Sequence, residues 1–171
     1  MLFRSVSQSR YPTHIDLDSL TSYVNLLAKG DLKISAFSWT TRDVMTRLKA
    51  HAEFAQKVYR TLIFIPECLS RSEFDVLCCQ CTRLFTNAEI QQRTPTRILA
   101  RKPDRTRSKQ IHSLECEWVD PAHLRATVVA QGGTYIKELI SGDGGRTHPS
   151  LSEIAQKEMM CVELDVIEIR D

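Results

Sequence analysis

The sequence predicts a mixed α+β fold in which helices pack on a mainly antiparallel sheet. Three observations predict it. Segments with strand-type apolar alternation outnumber those with helical spacing. Two of the strand segments, residues 110–118 and 124–130, flank Asp120-Pro121 and read as a hairpin. Finally, no repeat, low-complexity tract or linker divides the 171 residues, so residues 1–171 read as one domain. A chain of that length buries about 70% of its unfolded surface.

Each element has a local reason. Asp16 or Asp18 caps a helix whose Leu17, Leu20, Val24 and Leu27 recur every three or four residues, and Gly30 stands where a left-handed terminator belongs. Residues 32–39 alternate well enough for a strand, and Thr40 or Thr41 opens a second helix carrying Val44, Leu48, Ala52 and Ala55. Residues 57–65 form a strand that Pro66 breaks. A serine-rich turn at Ser70 and Ser72 starts a helix over 74–84, and Ile90 leads into an extended segment over 92–101. After the hairpin and a short helix, Ser150 and Glu153 form an S-x-x-E capping box for a last helix through Lys157. Residues 161–169 close the chain as a strand.

Composition narrows the function classes. The net charge of +2 and 42% hydrophobic content are those of a globular protein, and no stretch approaches the roughly 18 apolar residues of a membrane span. Met1-Leu2-Phe3-Arg4 lacks the apolar run of a secretory signal, although Arg4, Arg10 and nearby serines are faintly like a transit peptide. Six cysteines, Cys68, Cys78, Cys79, Cys81, Cys116 and Cys161, lack the paired C-x-x-C or Cys/His spacing that tetrahedral zinc requires. Cys78 and Cys81 fall in the periodic run Phe74, Leu77, Cys78, Cys81, which favours reduced thiols packed on a helix. That implies a reducing, intracellular compartment, cytoplasmic or nuclear in preference to mitochondrial.

The most informative segment is Gly132-Gly133-Thr134-Tyr135-Ile136-Lys137-Glu138-Leu139, continued by Ser141-Gly142-Asp143-Gly144-Gly145-Arg146-Thr147-His148-Pro149-Ser150. The run 126–130 is a strand, the paired glycines end it, and Thr134 is placed to cap a short helix. On that helix Tyr135, Ile136, Leu139 and Ile140 share one arc, with Lys137 just past its edge. Lys137 is set either to pair with a carboxylate in a partly dry pocket or to snorkel into solvent.

The segment resembles the last motif of the archaeal and eukaryotic tRNA pseudouridine synthase family that modifies the TΨC arm, the tenth-numbered Pus family. Members carry G-T-Y-I-K-E followed by G-D-x-G-R-T-x-P, and Gly133 to Glu138 and Gly142 to Pro149 match both halves in order. The resemblance implies a pseudouridine synthase catalytic-domain fold, here partial, and isomerisation of uridine to pseudouridine in tRNA without a metal or cofactor. It assigns Lys137 the salt bridge to the catalytic aspartate. Tyr59, in Lys57-Val58-Tyr59-Arg60-Thr61-Leu62-Ile63, occupies the place of the family's K-x-Y-S-A-L-I strand, whose tyrosine stacks on the target base. Read alone, Tyr59 is a core residue. Leu151, after Pro149-Ser150, resembles the aliphatic residue that covers the pocket; its plain reading is a core leucine.

Between residues 93 and 109 the cations Arg93, Arg97, Arg101, Lys102, Arg105, Arg107 and Lys109 face one acid, Asp104. In an extended segment Arg97, Leu99 and Arg101 point one way and Ile98 and Ala100 the other, so arginines project toward phosphates or simply toward water. The resemblance favours RNA, since residues 92–99 are similar to the family's Q-x-T-P-x-R-V-L run and Arg107 and Ile111-His112 match its continuation. Arg146 and Asp143 match the wording of the glycine-rich loop, and Arg146 joins the RNA-facing set. Gly142, Gly144 and Gly145 serve close approach of RNA or turn geometry alone.

The family's nucleophilic aspartate lies in a G-R-E-D-x-D-V-R type motif upstream of the matching residues. The aspartates at 16, 18, 31, 43, 75, 104, 120, 143 and 165 lack that context, Thr41-Arg42-Asp43 being the nearest look-alike, and Phe3 aligns just after the motif. The expectation is therefore the C-terminal portion of a catalytic domain without its N-terminal RNA-binding domain. An upstream segment or a protein partner would complete it, and sheet edge and core would be exposed until then. The partner is tRNA or another structured RNA, and no membrane. The alternative of a different class is a non-catalytic RNA-binding protein of a ribonucleoprotein assembly built on the same fold.

Overall fold

In the computed structural model the described residues are 15–170, and the chain divides into two compact units between Thr46 and Arg47. The first unit contains α1, Leu17–Leu27, with Asp16 at its N-cap accepting a bond from the Asp18 amide at 3.1 Å. Leu17, Leu20 and Val24 are half-buried on one face, whereas Leu27, which the spacing put with them, is 61% exposed. Residues 32–39 form no strand. Both backbone groups of Ile34 are instead held by the Asn25 side-chain amide, at 2.7 and 2.9 Å, and among the described residues no strand pairs with this segment. The α2 helix, Arg42–Phe54, starts here with Thr41 Oγ1 accepting from the Val44 amide, and ends in the second unit. The residues at the very start of the chain, Arg4 and Arg10 among them, lie outside those described.

The second unit is built on one antiparallel sheet of six strands. These are β1 (Gln56–Phe64), β2 (Ala88–Arg93), β3 (Thr106–Asp120), β4 (His123–Gln131), β5 (Thr147–His148) and β6 (Met160–Arg170), in the order β5-β2-β3-β4-β1-β6. The strands β3 and β4 are the anticipated hairpin, with Trp118 opposite Leu124 and Asp120 opposite His123. Alternation along β4 buries Leu124, Ala126, Val128 and Ala130 and leaves Arg125 exposed.

Against the sheet packs α3, Arg71–Phe85, which turns Phe74, Leu77, Cys81 and Phe85 inward at helical spacing. Its start is fixed by a full capping box, Ser70 Oγ receiving the Glu73 amide and Glu73 receiving the Ser70 amide. Two short helices follow, α4 (Ile136–Ser141) and α5 (Leu151–Ala155). The latter stops at Gln156 rather than running through Lys157; Ser150 caps it by accepting from the Glu153 amide at 3.3 Å, while the Glu153 carboxylate goes to His148, so half of the anticipated capping box forms. All six cysteines are free thiols, with Cys81 buried and Cys78 half-buried on α3.

Among the described residues β6 pairs only with β1, and Val162, Val166, Ile167 and Ile169 on it are 47–60% exposed. Among the described residues no helix is long and apolar enough to cross a membrane.

Candidate functional site

The chain between β4 and α4 turns sharply at Gly132 and Gly133, the latter at φ 78°. Thr134 closes this turn by donating to the Gln131 carbonyl at 2.7 Å and does not cap the helix. Tyr135 occupies the N-cap position, and its side chain makes no capping bond. The cap comes from across the sheet. Gln92 on β2, 1% exposed, accepts from the Tyr135 amide at 2.8 Å and donates to the Tyr135 carbonyl at 3.0 Å. Residue spacing could not reveal this, because the partners are 43 positions apart.

On α4 the residues Ile136, Leu139 and Ile140 are buried as their arc requires, and Tyr135 is half-buried. Lys137 is exposed between buried Ile136 and buried Glu138. Glu138, absent from the predicted arc, is 5% exposed because Arg97 reaches it, Nε to Oε1 at 2.7 Å and Nη2 to Oε2 at 3.4 Å. That carboxylate holds the Arg97 guanidinium above its ordinary pKa.

The segment expected to be extended over 92–101 is not. After β2 ends at Arg93, residues Thr96–Ile98 wind into a short 3-10 helix, so the alternation of Arg97, Leu99 and Arg101 does not apply. Pro95 leads into this helical turn, and Asp143 fixes it by accepting from the Thr96 amide at 2.7 Å. The basic set thereby divides. Lys109, which the sequence put with the RNA-facing cations, is 5% exposed on β3 and donates to the Gly132 carbonyl at 2.9 Å. Arg93 and Arg146 share Asp104, and Arg146 also donates twice to the Thr94 carbonyl, at 3.0 and 2.8 Å. Arg101, Lys102, Arg105 and Arg107 are exposed around the same loop. Beside them an open hollow of about 540 Å³ is lined by Gln91, Arg93, Thr96, Gly145, Arg146 and His148.

Of the glycines, Gly142 has a turn and a packing requirement together. It ends α4 at φ 77°, and a Cβ there would meet Ser150 Oγ at 2.7 Å. Gly144 and Gly145 also have positive φ but face open space. Tyr59 is 8% exposed on β1, opposite Val128 on β4, and burial raises its phenol pKa. Leu151 is fully buried at the start of α5. Both belong to the hydrophobic core. Among the described residues no cluster of three or more His, Cys, Asp or Glu is placed to hold a metal ion. Gln92 and Glu138 stand in the matching motif runs, which do not reveal their partners Tyr135 and Arg97, and Asp104 lies outside those runs. Only the isolation of one acid among seven surrounding cations hinted at Asp104.

The family described as "Pus10, C-terminal" matches residues 3–170. The chain is similar to the tRNA pseudouridine synthase Pus10 of Aeropyrum pernix, with 37% identity over 154 residues, covering 90% of this chain and 34% of that protein. It is likewise similar to the tRNA pseudouridine synthase Pus10 of Pyrococcus furiosus, at 40% identity over 116 residues, covering 68% of this chain and 29% of the relative. The chain thus spans about a third of the length of these relatives. Among solved structures, a Cbf5-Nop10-Gar1 complex aligns with a TM-score of 0.49 and 19% identity, over 70% of this chain and 32% of that one.

Proposed function

The chain belongs to the Pus10 C-terminal family, and on that premise we propose that it is the C-terminal part of a tRNA pseudouridine synthase catalytic domain. The single observation that supports the reading best is the coupling of two family-like segments. Arg97 in the basic loop is bonded to Glu138, the residue next to Lys137, so the loop that would hold RNA is tied to the helix that would serve the chemistry.

In this reading Arg93, Arg97, Arg101, Lys102, Arg105, Arg107 and Arg146 lie along the RNA backbone, where cations replace condensed counterions. The target uridine is extruded from its stack before its glycosidic bond breaks. Tyr59, 8% exposed, is the residue offered to the base for stacking, and Leu151, fully buried, backs the pocket from within the core. Stacking on an aromatic face compensates for about 1–3 kcal/mol of lost base stacking. Lys137, exposed on α4, pairs with an aspartate supplied by polypeptide outside these 171 residues. That carboxylate attacks ribose C1′ as the N1–C1′ bond breaks, or takes the C2′ proton; uracil detaches as its anion and rotates, C5 bonds to C1′ as the carboxylate leaves or the proton returns to C2′, and C5 loses its proton while N1 gains one. The work takes place in the cytoplasm or nucleus.

The test uses the native protein at its full natural length and a TΨC stem-loop transcript. Conversion of one uridine, abolished by Lys137→Met while RNA affinity is kept, supports the proposal. A protein that binds the transcript and never isomerises it overturns the enzymatic reading in favour of a non-catalytic RNA binder.

A further inference from the structure

The helix α4 cannot hold its own beginning. It has six residues, its N-cap side chain makes no bond, and so short a helix is marginal without tertiary support. Support arrives from two buried polar side chains on adjacent strands. Gln92 on β2 uses its amide like a second peptide group, accepting from Tyr135 N–H at 2.8 Å and donating to Tyr135 C=O at 3.0 Å, with a longer 3.4 Å approach to Thr147 Oγ1. Lys109 on β3 donates to Gly132 C=O at 2.9 Å. The turn between β4 and α4 is therefore gripped at its first and last residues by groups 1% and 5% exposed.

Burying an amide and an ammonium is costly unless each is bonded. What distinguishes these groups is that both bond backbone of the one turn that aims Lys137, which lies two residues beyond Tyr135. We propose that Gln92, assisted by Lys109, is a positioning residue for pseudouridine formation: it sets the direction of α4 and so the place of the Lys137 ammonium. This rests on the synthase reading above. Gln92 touches no reacting atom and acts through the Tyr135 backbone.

The experiment compares single-turnover conversion of a TΨC stem-loop, and RNA affinity, in the full-length native protein and its Gln92→Met variant. A displacement of about 1 Å at a reacting group costs up to roughly 100-fold in rate, so conversion is expected to fall about 10- to 100-fold. RNA affinity is expected to stay within about twofold, because binding common to ground and transition states is untouched. Ile90→Val, which removes one methylene from a fully buried residue of the same strand, controls for general loosening and is expected to keep the parental rate. Gln92→Asn, polar but one methylene short of Tyr135, gives the same readout if Gln92→Met folds poorly. An unchanged rate in either Gln92 variant overturns the inference alone. An equal loss in Ile90→Val does the same, since the effect would then be structural. A parent that does not isomerise overturns the synthase reading, and the inference with it.

Discussion

Arg97 Nε lies 2.7 Å from Glu138 Oε1, and the two residues differ sharply in exposure: the arginine side chain is 55% exposed and the glutamate 7%. One end of this pair stands in water at the basic loop, and the other is inside the motif helix. Its consequence is asymmetric, because loss of the arginine leaves a nearly buried carboxylate without its main partner.

Arg97→Met is therefore expected to destabilise the fold by about 1–2 kcal/mol, below the 3–5 kcal/mol seen when fully buried pairs are broken. Arg105→Met, at an exposed position, should cost less than about 0.5 kcal/mol. Urea unfolding of the two variants measures the difference. Equal losses would mean that the Arg97–Glu138 pair does not tie loop to helix.

Salt dependence separates the cations that face solvent from the one that is internal. Neutralising Arg101, Lys102, Arg105 and Arg107 together should lower the slope of log affinity against log salt by about 3, at 0.7–0.9 per phosphate contact. Lys109→Met should leave that slope unchanged and cost about 1–3 kcal/mol of stability, because the Gly132 carbonyl loses its buried donor. Filter binding at several salt concentrations, with thermal unfolding alongside, reads both effects.

The capping box of α3 gives a pH signature. Bonds from the Ser70 amide and hydroxyl, with the Lys157 ammonium at 2.9 Å, bring the Glu73 pKa down to about 2 from 4.5. A depressed carboxyl contributes stability above its unfolded pKa and loses it as pH falls toward the folded one. Glu73→Gln should thus unfold more easily than the parent at pH 7, and the gap should close between pH 4.5 and about 2. Ser70→Ala should cost about 1 kcal/mol at neutral pH. A gap that persists at the acid end would point to packing and not to charge.

Tyr59 predicts the opposite limb. Burial raises its phenol pKa above 10.0, so the neutral hydroxyl is favoured in the fold and stability is lost as pH rises past the unfolded value. Tyr59→Phe should keep the fold and soften that alkaline loss, whereas Tyr59→Ala should cost about 3–5 kcal/mol through the cavity it opens. Alkaline titration of stability for parent and Tyr59→Phe checks the first statement. Identical alkaline limbs would exclude Tyr59 as their source.

Most elements could be read from local pattern because their causes are local. Asp16 caps α1, Pro66 follows β1, Ser70 starts α3, and the Asp120-Pro121 hairpin pairs β3 with β4. Where the reading failed, a distant partner had intervened. Residues 32–39 alternate like a strand, but a strand needs a neighbour, and Asn25 took the Ile34 backbone groups instead. Residues 96–98 read as extended, but Asp143, 47 positions away, holds the Thr96 amide in a helical turn.

The sequence by itself determined the α+β class, the order of nearly all elements, and the motif words that pointed to the family before any geometry was known. Those properties follow from side-chain period and chain stiffness, which act over a few residues. Only the tertiary structure decided that Lys109 faces inward, that Arg97 serves Glu138, that Asp104 joins Arg93 to Arg146, and that Gln92 rather than Thr134 holds the start of α4. A buried polar group must find a partner wherever the fold brings one within about 3 Å, and no local pattern encodes which distant residue that will be.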